Sequence, residues 1–165
     1  MRYAALLRGV SPMNCKMPEL KAALERAGFE NVKTVLSSGN VLFDAPAKSN
    51  ATLEREVEAA MTKHLTRSFP TIVRRVDELR ALLDSKPFAK APKNTKCVVT
   101  FFKTAKALKI PVTKDEATIF AADGLEAFSH YVPQPRNPAF MVLLEKTFGK
   151  EITTRTLGTV EKLAK

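Results

Sequence analysis

Between Leu6 and Asp44 the chain has few ways to fold. An apolar run, Arg2 to Leu7, stops at Arg8-Gly9 and reads as a strand. A polar loop follows, Val10-Ser11-Pro12-Met13-Asn14-Cys15-Lys16. Met17, Leu20, Leu24 and Ala27 then recur at helical spacing and form one apolar stripe. Pro18 suits the first helical turn, where a missing N–H costs nothing. Gly28 can take the left-handed conformation that ends a helix, and Phe29 can cover the last turn. A strand from about Val32 reaches Ser37-Ser38-Gly39-Asn40, whose small residues suit a tight turn, and the chain returns as Val41-Leu42-Phe43.

The order continues in the same style. Ala45 to Lys48 is a loop, and Ser49 or Asn50 can cap a helix whose apolar face runs from Leu53 through His64 to about Ser68. Pro70 breaks it, and Thr71 to Arg75 reads as a strand. That makes β-α-β-β-α-β, the split βαβ arrangement. Asp77 can cap a short helix carrying Leu79, Leu82 and Leu83. Beyond Pro87 and Pro92 the order recurs: a strand over Cys97 to Phe102, a helical turn over 104–108, strands over Ala117 to Ala121 and Leu125 to Val132 joined at Asp123-Gly124, and a proline-rich connection over 133–138. A helix bearing Phe140, Leu144 and Phe148, a brief strand at Glu151 to Thr153 and a last amphipathic helix complete the chain. The reading is α+β: two ferredoxin-like halves with four-stranded antiparallel sheets plus a C-terminal helix. The halves span 1–84 and 97–165, with 85–96 as a basic linker.

Leu6-Leu7-Arg8-Gly9, Met17 to Leu20, Ser38-Gly39-Asn40-Val41-Leu42-Phe43 and Thr153-Thr154-Arg155 through Thr159-Val160-Glu161-Lys162-Leu163 together resemble the bacterial domain of unknown function 1697 family. That family is typified by an L-L-R-G start, an S-G-N-V-x-F hairpin and a T-T-R-x-x-x-T-V-x-K-L end. The resemblance implies a fold and no established activity. This chain carries a shorter loop after Arg8-Gly9 than family members usually do, and Thr156-Leu157 where they often have Asn-Trp.

Charge bounds the partners. The formal net charge is +10, and its placement matters more than its size. Between Ser85 and Lys114 lie eight lysines and no Asp or Glu. Such a field attracts polyanions, with Lys90, Lys93, Lys96 and Lys106 as the leading contacts. A solvated surface that keeps the protein soluble explains the same run. The aromatic-rich motif of RNA-recognition domains is missing, and the adjacent Phe101 and Phe102 point to opposite faces of a strand. No apolar run is long enough to span a membrane, and the N-terminal apolar run breaks at Arg8, unlike a signal peptide. Cys15 and Cys97, far apart and without C-x-x-C spacing, read as reduced thiols of a cytoplasmic protein.

Topology suggests one site. In this β-α-β-β-α-β order the first and third strands are antiparallel neighbours, so Arg8, Gly9 and the loop holding Asn14 and Lys16 should meet the Ser38-Gly39-Asn40 turn. A guanidinium, hydroxyls, an amide and backbone N–H groups together can hold an anion, and Arg155, beside the last helix, is a further candidate. A carboxylate partner for Arg8 and a turn-serving role for Asn40 explain the same residues. Cys15 lies near Lys16, which can lower a thiol pKa, but a nucleophile also needs a positioned base. His64 sits on an apolar helix face, and His130 has no obvious partner. Two histidines and two dispersed cysteines make no metal set, and no cofactor fingerprint is present. The reading is a small basic protein that binds an anionic ligand or nucleic acid without catalysis. One alternative is a small enzyme acting on a phosphate- or carboxylate-bearing substrate at the Arg8/Asn40 edge. A second is a protein interaction module.

Overall fold

Residues 1–105, 109–133 and 139–165 are described in the computed structural model of the chain. They fall into two units: Met1–Ala81 with Lys162–Lys165, and Leu82–Glu161. Among the described residues no helix is long and apolar enough to cross a membrane.

The first unit runs β1 (Arg2–Leu7), α1 (Met17–Arg26), β2 (Glu30–Val35), β3 (Asn40–Asp44), α2 (Asn50–His64) and β4 (Thr71–Arg75), with α3 (Val76–Asp84) leading onward. Its sheet has the order β2-β3-β1-β4, and every neighbouring pair is antiparallel. Ala5 faces Val41 on one side and Val73 on the other, so Tyr3, Ala5, Leu7, Val41, Phe43 and Val73 share a face. Leu20 and Leu24 of α1, with Leu53, Val57 and Met61 of α2, complete one buried cluster with them.

Local chemistry sets the joints. Gly28 has φ +97°, and the Phe29 N–H donates back to the Leu24 carbonyl at 3.2 Å, a Schellman closure. The Phe29 ring then meets Phe43 edge-on, centroids 4.8 Å apart. Ser49 Oγ caps α2 by accepting from the Thr52 N–H. The helix ends at His64 rather than near Ser68, because Leu65 is extended and lets Phe69 reach the core. Asp77 is not the cap of α3: the helix begins at Val76, Glu78 accepts from the Arg75 N–H, and Asp77 pairs with the Arg75 guanidinium instead. Along the outer edge of β4, three alternate N–H groups meet carboxylates: Thr71 donates to Glu58 at 2.9 Å, Val73 to Glu54 at 2.9 Å and Arg75 to Glu78 at 3.2 Å.

The second unit holds β5 (Lys96–Phe102), β6 (Val112–Lys114), β7 (Ala117–Asp123), β8 (Glu126–Tyr131), α4 (Ala139–Phe148), β9 (Ile152–Thr156) and most of α5 (Leu157–Leu163). Its antiparallel sheet has the order β6-β7-β8-β5-β9, five strands where four were expected. The extra strand, β6, pairs with β7 across Asp115 and Glu116, both at positive φ (+50° and +64°), as a two-residue hairpin requires. The Asp123-Gly124 reversal forms as read, with Gly124 at φ +59°. β9 is also longer than read, reaching Thr156. Phe102, Ile119, Ala127, Leu143, Leu144 and Phe148 form the core between the sheet and α4. The helical turn read over 104–108 and the connection read over 133–138 fall largely outside the described residues.

Candidate functional site

The pairing of β1 with β3 brings the Arg8 end of β1 to the 36–39 turn. The Leu7 N–H donates to the Gly39 carbonyl at 2.9 Å, and the Arg8 N–H donates to the Pro70 carbonyl at 2.9 Å. Gly39 has φ +87°, and a Cβ there would lie 3.0 Å from Leu7 Cβ and 3.0 Å from Val10 Cβ. Leu7, the start of the loop and the turn are therefore packed together. Several of the polar groups read as ligand-binding serve this packing. The Asn14 amide donates to the Gly9 carbonyl at 2.8 Å, and its Oδ1 accepts from the Ser11 N–H at 2.9 Å. Asn40, fully buried, donates to the Val35 carbonyl at 3.1 Å and to Ser38 Oγ at 3.2 Å. Lys16 is exposed and Arg8 half-buried.

Arg155 belongs to the second unit and is not at a helix end. It sits in β9, buried, and donates to Thr153 Oγ1 and the Thr154 carbonyl, both at 2.7 Å. Burial lowers its guanidinium pKa to about 10. The N-terminus of α5 is capped by Thr156, whose Oγ1 accepts from the Thr159 N–H. In the lysine run, Lys86, Lys90, Lys93, Lys96, Lys103, Lys109 and Lys114 are all exposed. Lys106 lies outside the described residues.

Cys15 departs from its reading. It is buried in the core cluster of the first unit, and burial, with the Glu19 charge second, raises its thiol pKa rather than lowering it beside Lys16. Among the described residues Cys15 and Cys97 are free thiols. His64 is the last residue of α2 and half-buried rather than core. His130 stacks on Phe120, centroids 5.5 Å apart. No group of three or more His, Cys, Asp or Glu that could hold a metal occurs among the described residues.

Two cavities stand out. One, of about 760 Å³, opens in the first unit between Phe29, Asp44, Lys48, Glu56 and His64. Its charges are largely matched: Lys48 pairs with Glu56 at 2.8 Å, and Asp44 accepts from Asn31 Nδ2 at 2.7 Å and from Arg2 at 3.1 Å. Hydrogen bonding from Asn31, then Arg2, holds the Asp44 carboxyl below the usual aspartate range. The other, of about 330 Å³, lies in the second unit against Val98, Ala117, Tyr131, Phe140, Thr154 and Thr156. Sequence reasoning missed both, because each is walled by residues that come together only through strand register and helix docking.

The chain is similar in fold to the conserved bacterial protein SP0830 from Streptococcus pneumoniae: the two are 21% identical, with a TM-score of 0.72, over 99% of this chain and 96% of that one. No curated protein matches the chain. The family model described as "Protein of unknown function (DUF1697)" matches residues 1–128, a span that takes in the whole Leu6 to Asp44 stretch. The chain belongs to that family.

Proposed function

We propose that the chain binds phosphate-rich polyanions, nucleic acid backbone foremost, through the lysine surface of residues 85–114, without catalysing a reaction on them. The supporting observation is that all seven described lysines of that window are exposed, in a stretch with no Asp or Glu. Lysine is a point charge without the planar fork that reads base edges, so contact is to phosphates and indifferent to sequence. The test is a titration of random-sequence DNA and RNA at low and physiological salt. Binding at low salt, weakened by salt and by changing Lys90, Lys93, Lys96 and Lys106 to Gln, supports the reading. Failure to bind at low salt sinks it.

A second reading places a small phosphate- or carboxylate-bearing molecule at the Arg8 edge. The packing of Gly39 on Leu7 and Val10 favours it, since that packing gathers the loop and the turn. Each unit is further read as a ferredoxin-like variant, a view supported by the β2-β3-β1-β4 and β7-β8-β5-β9 orders. Two free thiols fit a cytoplasmic location.

A further inference from the structure

We propose that the nucleic acid held at the lysine surface is single-stranded, its bases stacking on an aromatic cluster of the second unit formed by Phe88, Phe120 and His130. This rests on the polyanion reading above and adds to it what the bases do once the phosphates are held.

Strand alternation puts the rings on one face. Ile119 and Ala127 belong to the core against α4, so Phe120, Phe128 and His130 point to the other side of the sheet. His130 stands directly opposite Cys97 on β5 and Thr118 on β7. Toward β5 this face is closed, with Val99 and Phe101 fully buried. Along β7 and β8 it stays partly open: Thr118, Phe120 and His130 are half-buried. His130 stacks on Phe120 with centroids 5.5 Å apart and planes 26° from parallel. Phe88, half-buried too, meets Phe120 and Phe128 edge-on at 5.6 and 5.7 Å.

Phe88 joins the charge to the rings. It lies between Lys86 and Lys90 in two consecutive turns, the Ala89 N–H donating to the Lys86 carbonyl at 3.2 Å and the Ala91 N–H to the Phe88 carbonyl at 3.1 Å. Docking of Phe88 therefore holds the acid-free stretch against the aromatic face, with Lys86 and Lys90 exposed on either side of it. Lys96 immediately precedes Cys97, the cross-strand partner of His130. Glu126, an acid on the same face, stands opposite Phe101, four residues along β8 from His130. Rings beside exposed cations suit an unpaired strand: phosphates meet the lysines, and any base can stack, because every base has a π-face. A duplex keeps its base faces inside its own stack and can use the cations alone. A small anion has no use for the rings.

The experiment uses the full chain and three fluorescent probes of one length, roughly ten nucleotides: a mixed-sequence single strand, the duplex of that sequence, and an abasic single strand. Charge alone favours the duplex, whose counterions are more densely condensed. Anisotropy titrations at low salt should instead rank the mixed-sequence strand first, about fivefold or more above the abasic one for each base stacked. Phe120→Leu with His130→Leu, which keep apolar bulk and remove the π-faces, should bring single-strand affinity down to the abasic level and leave duplex affinity unchanged. The bound single strand should also slow alkylation of Cys97, which shares a cross-strand row with His130. If circular dichroism shows the double variant unfolded, the abasic comparison and Cys97 protection in the unaltered chain decide. Equal binding of all three probes, weakened by the four Lys→Gln changes, overturns this proposal alone and leaves the rings as packing. A single-strand preference that survives loss of both rings also overturns it. Binding of none of the probes at low salt overturns it together with the polyanion reading.

Discussion

Leu7 and Gly39 are closely apposed: the Leu7 N–H donates to the Gly39 carbonyl at 2.9 Å, and the Leu7 Cβ stands 3.0 Å from where a Cβ on residue 39 would sit. Gly39 is also at φ +87°, where L side chains are strained. Gly39→Ala should therefore cost on the order of 2–4 kcal/mol, from backbone strain plus overpacking. Gly28→Ala, at φ +97° but with open space around it, should cost only about 1–2 kcal/mol. Urea unfolding of the two variants measures the difference.

Glu54 is buried and accepts from the Val73 N–H at 2.9 Å. Truncation in Glu54→Ala leaves that buried donor unpaired. The expected loss is about 1–3 kcal/mol, and Glu54→Gln, which keeps an acceptor oxygen, should recover part of it. Equal stability of the two variants would show that the hydrogen bond is not what matters.

Asp44 makes a prediction about pH. Its folded pKa lies below its unfolded value because Asn31, then Arg2, favours the carboxylate. That contribution is present above the unfolded value and is lost as pH falls through the folded one. An NMR titration should find Asp44 below the ordinary aspartate range, and Asn31→Ala should move it up. The effect on stability will be small, since the pair is partly exposed.

Cys15 should react slowly. Burial raises its pKa and shields the sulfur, so at neutral pH a disulfide reagent should label it far more slowly in the folded chain than after unfolding. Because the folded pKa is raised, the stability from keeping the thiol protonated is intact below the ordinary thiol range and lost as pH rises through the folded value. Rapid labelling of Cys15 in the native state would contradict its place in the core.

For the lysine surface the salt dependence is quantitative. Contact with three to five phosphates of duplex DNA gives a log–log slope of roughly −3 to −4.5. Changing Lys90, Lys93, Lys96 and Lys106 to Gln should flatten the slope and leave the circular dichroism spectrum unchanged. A slope that survives the substitutions would place the contacts elsewhere.

Elements marked by local chemistry were legible in the sequence. The α1 stripe, the Gly28 stop, the Ser38-Gly39 reversal and the Asp123-Gly124 hairpin each carry their cause within a few residues. β6 was not legible because its turn uses Asp115 and Glu116, non-glycine residues whose positive φ is imposed by the pairing they serve. The end of α2 was hidden because apolar spacing continues through Leu65, whereas the core needs Phe69. Cys15 read as a polar-loop thiol beside Lys16, and its place in the buried cluster of the first unit comes only from tertiary packing. Of the candidate site, the meeting of Arg8's strand end with the Gly39 turn could be foreseen from strand order. A turn-serving role for Asn40 was among the readings its position offered, whereas the bond from the Asn14 amide to the Gly9 carbonyl was not legible, because it depends on loop conformation.

The three carboxylates along β4 bear on how copies of this chain behave toward one another. An edge strand with free N–H groups at every second residue is a template on which a foreign strand can nucleate. Here Glu58, Glu54 and Glu78 have already taken those donors at Thr71, Val73 and Arg75. Their negative charge would also repel an approaching carbonyl row. On this side the first sheet is closed to recruitment, so growth into fibrils or strand-swapped pairs must begin elsewhere on the molecule.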